Sequence, residues 1–398
     1  MKVLQINSVC GIRSTGRIAT DIYNILMQQG HDCKVAYGRE LPHNIEKEDV
    51  IQIGTELGVK MHALLSRVTD KTGFYSKTAT KRFINQIEEY NPDVIHLHNI
   101  HGYYLNIEIL FDYLAKTNKK VIWTMHDCWA ITGHCAYFDM ANCNKWETGC
   151  NNCPQKNKYP TSYVCDNSKS NWIRKKELFT RVKDLTIVTP SKWLADIMKT
   201  SYLGKYPVKV INNGIDLNSF KPIPSDFKKN NNIENKKIIL GVAAIWDERK
   251  GLADFLKLSE MINDEYKIVL VGIPENKMAD LPENILPISR TNSVKELAEI
   301  YTSADVFANP TYEDNFPTVN LESIACGTPV ITYNTGGSPE GINETCGIVT
   351  EQKTPDALWT AVQKVCEENI FPAEDCIAYA KTFDKTDKFM EYICLYAE

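Results

Sequence analysis

Between Asn309 and Val330 the chain reads Asn-Pro-Thr-Tyr-Glu-Asp-Asn-Phe-Pro-Thr-Val-Asn-Leu-Glu and then Ser-Ile-Ala-Cys-Gly-Thr-Pro-Val. Two carboxylates, Asp314 and Glu322, bracket the start of a helix expected near Pro317, a residue suited to a first helical turn. The amides of that turn, around Phe316, Thr318 and Val319, lack intrahelical partners and would attract a diphosphate. A carboxylate beside them accepts hydrogen bonds from ribose hydroxyls or stabilises positive charge at a reacting carbon. For the first carboxylate position Glu313 stands as the alternative to Asp314. Upstream, Ile245-Trp-Asp-Glu-Arg-Lys-Gly251 carries Lys250 and Arg249. Cations there would offset the charge that develops on a diphosphate leaving group.

The first half of the chain offers a second set of reactive side chains. His96, His98, His101 and His126 gather at the ends of two expected strands, with Asp127 directly after His126. An imidazole at a strand end could bind a sugar or orient an attacking hydroxyl, and Asp127 could position that hydroxyl. Gly11-Ile-Arg-Ser-Thr-Gly16-Arg17 follows the first strand and opens a helix. It has the look of a P-loop, but Arg17 and Ile18 stand where Lys and Ser or Thr are required, which argues against an ATPase. Its amides remain available to a ligand, with Gly16 the stronger candidate and Arg17 the weaker.

Of 13 cysteines, six lie between Cys128 and Cys165. They read His134-Cys135-x7-Cys143-x6-Cys150-x2-Cys153-Pro154, and Cys-x2-Cys is the usual half-site of a zinc knuckle. Cys135, Cys143, Cys150 and Cys153 are therefore candidate ligands of a structural zinc, with His126 or His134 as substitutes. Reduced, buried thiols are the equal alternative, since disulfides seldom persist in a cytoplasmic chain.

Positioning these groups requires alternating strands and helices. Val3–Ile6, Val94–Leu97, Val121–Met125 and Thr186–Val188 are almost continuously apolar, as strands buried on both faces are. Ile18–Gln29 has a helical stripe. The pattern restarts at Lys237–Ala243 and continues through a helix from Leu252, a strand at Ile268–Val271, a helix at Val294–Ser303, a strand at Val306–Ala308, a helix near Val319–Cys326 and a strand at Val330–Thr332. Asp216–Glu234, with Pro222, Pro224 and several Asn, reads as a surface linker. The expectation is an α/β protein of two doubly wound Rossmann-like domains, residues 1–215 and 216–380. A Cys-rich loop spans 128–165, and a C-terminal helix within 381–398 can pack on either domain. Ligands of such sheets sit beyond the carboxyl ends of the strands, so two facing domains would place the active site in a cleft between them.

The net charge of −5 and ordinary hydrophobic content (43%) give no reason to expect a nucleic-acid partner. No signal peptide and no membrane span are evident, and the cytoplasm is the expected location. Two stretches, Lys60–Arg82 and Lys169–Lys183, are basic. The first interleaves its cations with Met61, Leu64, Leu65, Val68, Phe74 and Tyr75. It suits peripheral contact with the anionic inner face of a cell membrane, or equally an ordinary solvated helix face.

These residues resemble the motifs of family-4 retaining glycosyltransferases with the GT-B fold. Glu322 with Ala325-Cys-Gly-Thr-Pro-Val330 is similar to the second half of the family's Glu-x7-Glu donor motif. The register puts Asp314 at the first position, with Glu313 one residue early. Ile211–Phe220 resembles the hinge segment, Asn334–Glu340 the Gly-Gly-x-x-Glu loop, and Asp93–His98 and Thr124–Asp127 the histidine-bearing strand ends. Within the family, the Thr124–His134 stretch with its downstream cysteines is most similar to enzymes of colanic-acid and capsular-polysaccharide assembly.

The resemblance implies transfer of a sugar from a nucleoside-diphosphate sugar, a UDP-sugar first among them, to a glycan acceptor that is often lipid-linked, with retention of configuration. It implies Lys250 at the diphosphate, Arg249 as a displaced substitute for the family arginine, Glu322 at the ribose, and Asp314 or Glu313 near the donor sugar. His126, His98 and Arg17 fall on the acceptor side, and the loop of Gly16 touches the donor phosphates or the acceptor, with Gly16 counted among the donor-binding residues. No metal cofactor is implied for the chemistry. The alternatives are a nucleotide-sugar epimerase of the same architecture and a non-catalytic zinc-knuckle interaction protein.

Overall fold

The computed structural model describes residues 1–398 and divides into two units, Met1–Asn212 with Lys388–Glu398, and Asn213–Asp387. The boundary expected from the sequence is 215/216, and the two units divide between Asn212 and Asn213. The last helix, Lys385–Ala397, begins in the second unit and is counted with the first from Lys388 onward.

The first unit is built on a parallel sheet of seven strands. These are β1 Lys2–Ile6, β2 Asp32–Tyr37, β3 Val50–Gln52, β4 Val94–Leu97, β5 Lys120–Thr124, β6 Leu185–Thr189 and β7 Val208–Val210, in the order β3-β2-β1-β4-β5-β6-β7. The second unit holds six parallel strands. These are β8 Lys237–Val242, β9 Tyr266–Val271, β10 Ile285–Ile288, β11 Val306–Asn309, β12 Val330–Tyr333 and β13 Gly347–Thr350, in the order β10-β9-β8-β11-β12-β13. Both sheets reverse winding direction once, between β1 and β4 and between β8 and β11. At such a switch point the loops after two adjacent strands diverge to opposite faces, which opens a crevice at the strands' carboxyl ends.

Burial of apolar side chains on both faces explains why the strands are nearly all Val, Ile and Leu. In β8, Ile238, Ile239 and Leu240 are fully buried, as are Ile268, Val269 and Leu270 of β9. The helix Arg13–Gln28 covers one face of the first sheet through Ile18, Ile22, Ile25 and Leu26. Phe389, Tyr392, Ile393, Leu395 and Tyr396 of the last helix join the same cluster.

Asp216–Glu234 differs from the expected surface linker. Phe220 and Ile233 are buried in the core of the second unit, and Lys228 bonds Asp305 at 2.9 Å. A one-turn helix, Phe227–Asn230, interrupts the segment. Its prolines and asparagines shape turns along a surface to which the aromatic and aliphatic residues anchor it.

Candidate functional site

In the second unit, the loops after β8, β11 and β12 converge at the winding reversal. The turn Glu248–Lys250 is opened by Asp247, whose Oδ1 accepts from the Lys250 amide at 3.1 Å. It is closed by Gly251 at φ +71°, where a Cβ would lie 2.3 Å from the Pro310 carbonyl oxygen. The absence of a side chain lets this turn press against the segment after β11, and the Tyr312 amide donates to the Arg249 carbonyl at 2.8 Å. Gly336 does the same from the other side: at φ +55° its Cβ would lie 2.0 Å from the Asp314 carbonyl oxygen. That oxygen accepts from the Gly337 amide at 3.2 Å. The segment from Pro310 to Asp314 is thus held by main chain at both of its ends.

Between these loops Lys250 Nζ donates to Asp314 Oδ2 at 2.5 Å, and both side chains are partly exposed, 19% and 14%. Arg249 points elsewhere, donating through Nη1 to the Glu313 carbonyl at 3.0 Å. Glu313 is buried, Asp314 half-buried. The structure therefore joins Lys250 to Asp314 and ties Arg249 to the backbone beside it.

The helix Thr318–Ala325 starts directly after Pro317, and no side chain caps it. Its first amides are free of intrahelical partners by the geometry of any helix start. Phe316 is buried and packs its ring on Phe383 at 5.9 Å, so it anchors the helix start rather than facing solvent. Thr318 and Val319 are half-exposed. Below them runs a buried polar ladder. Asn309 Nδ2 donates to Asn320 Oδ1 at 2.8 Å, Asn320 Nδ2 to the Ser338 carbonyl at 3.1 Å, and Thr332 and Ser338 share a hydroxyl bond at 2.7 Å. Glu322, on the next turn, is buried and accepts from the Tyr301 hydroxyl at 3.1 Å. Tyr301 and this ladder carried no signal in the sequence.

In the first unit the winding reversal presents a chain of imidazoles. Gln5 Nε2 donates to the Ala19 carbonyl at 2.8 Å, which fixes Gln5 Oε1 as an acceptor. His98 Nε2 lies 3.0 Å from that oxygen and must donate to it. Burial pushes the His98 imidazole well below its ordinary range, with His96 and His126 adding to the effect, so it is neutral at pH 7. Its Nδ1 is then an acceptor, and His126 Nε2, 3.0 Å away, is the donor. Burial also lowers His126, to about 4. A neutral His126 protonated on Nε2 carries its lone pair on Nδ1, and this tautomer follows from the hydrogen-bond chain.

His126 is half-buried and shares the lining of a small pocket with His98, His101, Asp127 and Trp129. Asp127 Oδ2 pairs with His101 Nε2 at 2.8 Å, and its Oδ1 accepts from the Trp129 amide at 2.9 Å. Burial alone would raise this carboxyl; His101 and the Trp129 N–H hold it below its ordinary value. His98 is almost fully buried and acts behind His126. His96 is internal: it bonds Tyr396 at 2.7 Å and Thr124 at 2.8 Å.

Gly16 is buried under the loop before it, where a Cβ would meet Val9 at 3.1 Å, and its carbonyl accepts from the Gly11 amide at 3.0 Å. Its role in the structure is close packing. Arg17 is exposed on the following helix.

The four cysteines expected as ligands line one small cavity, together with His134. As the side chains stand, no three His, Cys, Asp or Glu groups are gathered so as to hold a metal ion. In the basic stretch 60–82, Phe74 belongs to the core rather than to an exposed apolar face. In the other stretch Lys175 is buried rather than solvated.

Residues 222–383 match the family described as Glycosyl transferases group 1, and residues 15–219 match Glycosyltransferase Family 4. The chain is 25% identical over 360 residues to a protein of Escherichia coli (strain K12) named for colanic acid biosynthesis as glycosyl transferase WcaC, covering 87% of this chain and 86% of that one. It is 28% identical over 217 residues to the N,N'-diacetylbacillosaminyl-diphospho-undecaprenol alpha-1,3-N-acetylgalactosaminyltransferase of Campylobacter jejuni subsp. jejuni serotype O:2, covering 51% of this chain and 57% of that protein. Among solved structures, the sucrose-phosphate synthase of Thermosynechococcus elongatus superposes with a TM-score of 0.74 at 16% identity, over 100% of this chain and 98% of that one. Anabaena Alr3699/HepE in complex with UDP-glucose gives 0.69 at 14% identity, over 100% and 99%. At such identities these two likenesses speak for the fold alone.

Proposed function

Because the chain belongs to glycosyltransferase family 4 and is a glycosyltransferase, we propose that it moves a sugar from a nucleoside-diphosphate sugar, a UDP-sugar first, onto a lipid-linked glycan of bacterial surface polysaccharide, with retention. One observation carries the donor reading: the Lys250–Asp314 pair, held by glycine-tight loops beside the uncapped start of the helix Thr318–Ala325. A cation and a set of free amides facing one crevice suit a diphosphate. On donor binding Lys250 turns to the diphosphate and Asp314 is released toward the sugar. Glu322, oriented by Tyr301, takes the ribose hydroxyls. As the bond from the anomeric carbon to the phosphate oxygen breaks, the acceptor oxygen bonds the same face of that carbon. The acceptor proton passes to the departing phosphate oxygen. No metal is needed in this scheme, since Lys250 and the amides carry the developing charge. His126 Nδ1, an acceptor by the tautomer argument, takes a hydroxyl hydrogen bond on the first unit.

The experiment is to offer UDP-, GDP- and TDP-sugars with membrane extract and follow release of nucleoside diphosphate, comparing the protein with Glu322→Ala. Release from one donor class, weakened about tenfold or more by the substitution, is expected for the loss of a charged hydrogen-bond partner. Conversion of the donor to an epimer without an acceptor would favour the epimerase instead. No turnover of any donor would sink the reading.

The lipid-linked acceptor draws support from the helix Glu56–Thr69, which exposes Leu57, Met61, Leu64, Leu65 and Val68. Beside it lies a groove of about 830 Å³ whose lining includes Ile53, Met61, Tyr75, Lys77 and Arg82. An apolar face edged by cations suits an anionic membrane surface. No helix is long and apolar enough to cross a membrane. Sedimentation with vesicles of increasing anionic lipid should carry down the protein, and Leu64→Asp should reduce it. Binding indifferent to anionic lipid would remove the membrane from the scheme.

A further inference from the structure

We propose that Cys135, Cys143, Cys150 and Cys153 form a four-thiolate site for one structural zinc ion that fastens the long connection between β5 and β6. The inference is independent of the sugar-transfer reading. Between Thr124 and Ser168 the only regular element is the single turn Lys145–Thr148. Stretches of this length without secondary structure are uncommon in ordered domains and need some other tether.

The four side chains line a common cavity of about 10 Å³, space for a single atom-sized occupant. Phe138 and Trp146, which also line it, stack at 5.2 Å. The Gly133 amide donates to Cys150 Sγ at 3.2 Å. An amide aimed at a sulfur is the outer support that a metal-bound thiolate uses.

Two further observations call for negative charge in this place. Lys175 is 1% exposed, and its ammonium meets only carbonyls, of Trp129 at 2.8 Å and Thr132 at 3.1 Å, and the Trp129 ring at 3.3 Å. A buried ammonium without an anionic partner is costly, and four thiolates around a divalent ion carry a net double negative charge. His134, on the same cavity, bonds Asp70 through Nδ1, and its Nε2 is buried without a side-chain partner. A charged centre in the cavity would satisfy it.

As the side chains stand, the four sulfurs do not surround a single point, and binding would draw them inward by side-chain rotation. The ion displaces the thiol protons to solvent as it forms four metal–sulfur bonds. No oxidation is involved. The same connection carries Trp129, whose amide holds Asp127, so the ion would brace the wall of the His126 pocket.

The full chain, produced with zinc in the medium, should hold about one zinc per molecule by elemental mass spectrometry, the stoichiometry of a single tetrahedral site. Cobalt(II) added to chelator-treated protein should give the intense thiolate-to-metal absorption of a tetrahedral site. Cys150→Ser with Cys153→Ser should abolish both, whereas Cys165→Ser with Cys394→Ser should leave both intact. The cobalt titration uses the unsubstituted chain, so a folding defect in the double variant does not blunt the test. No zinc together with no cobalt–thiolate band would overturn the proposal, as would an ion that survives loss of Cys150 and Cys153.

Discussion

The two winding reversals fix their polar side chains in opposite ways. At β8 and β11 the groups offered are charged, Lys250 and Asp314, and main chain fixes them through Gly251 and Gly336. At β1 and β4 the groups are neutral imidazoles that fix one another, from Gln5 through His98 to His126. A charge pair at a partly exposed site can exchange partners when an anion arrives, because solvent shares the cost of separating it. A buried neutral chain cannot exchange partners, but it sets the direction of every hydrogen bond along it. The first arrangement suits a ligand that brings charge, the second a ligand that brings hydroxyls.

Lys250→Ala should break this contrast most severely. Under the proposed donor chemistry its loss is expected to lower kcat/KM about 10²–10³-fold, as loss of one preorganised electrostatic group does elsewhere. Nucleoside-diphosphate release measures it, and a loss under threefold would mean the charged site does not serve the donor. Gly336→Ala comes next. Its Cβ would collide with the Asp314 carbonyl at a positive φ, so the melting temperature should fall by the equivalent of about 1–3 kcal/mol, the usual range for local strain. An unchanged melting temperature would show that the loop yields easily.

Gln5→Leu tests the neutral arrangement. It strands the His98 Nε2–H, at a cost of about 1–3 kcal/mol for a buried donor without a partner. Nitrogen NMR of labelled histidine should then show the His98 and His126 tautomers shifting. Retention of both tautomers would refute the chain of assignments.

The pH response sharpens the same point. His126 has its folded value lowered from 6.5 to about 4, so below pH 6.5 the unfolded chain binds a proton that the folded one does not. Stability should therefore fall as pH drops from about 6.5 to about 4, and the slope should be shallower in His126→Gln. Equal slopes in thermal melts across that window would remove His126 from the account. Arg17→Ala should be the mildest, within about twofold in turnover, since exposed substitutions away from partners rarely matter more.

Strand positions such as Val94–Leu97 and the helix Val294–Ser303 were legible because continuous burial leaves an unbroken apolar run or stripe. The strands left unread, β2, β3, β7, β10 and β13, lack that run. β2 places Asp32 and Lys34 among its buried Cys33 and Val35, β10 contains Pro287, and the others are three or four residues long. Lys250, Asp314 and Glu322 stood out by type and spacing, and the structure brings the first two into contact. That Lys250 rather than Arg249 takes Asp314 was not readable, because the direction of a side chain leaving a three-residue turn depends on Gly251 and Pro310 meeting across the loop. Gln5 left a faint trace, a polar residue inside an otherwise apolar buried strand; nothing in sequence linked it to His98.

The last helix carries a consequence for how the protein comes into being. Phe389, Tyr392 and Tyr396 complete the apolar cluster of the first unit and give His96 and Thr124 their hydroxyl partners. The unit that leaves the ribosome first is therefore finished last, after the whole of Asn213–Asp387 has been synthesised. During translation the later-made half can close while the earlier one waits with an uncovered apolar face, a natural client for a chaperone. A message cut short before the codon for Lys385 would leave that face uncovered.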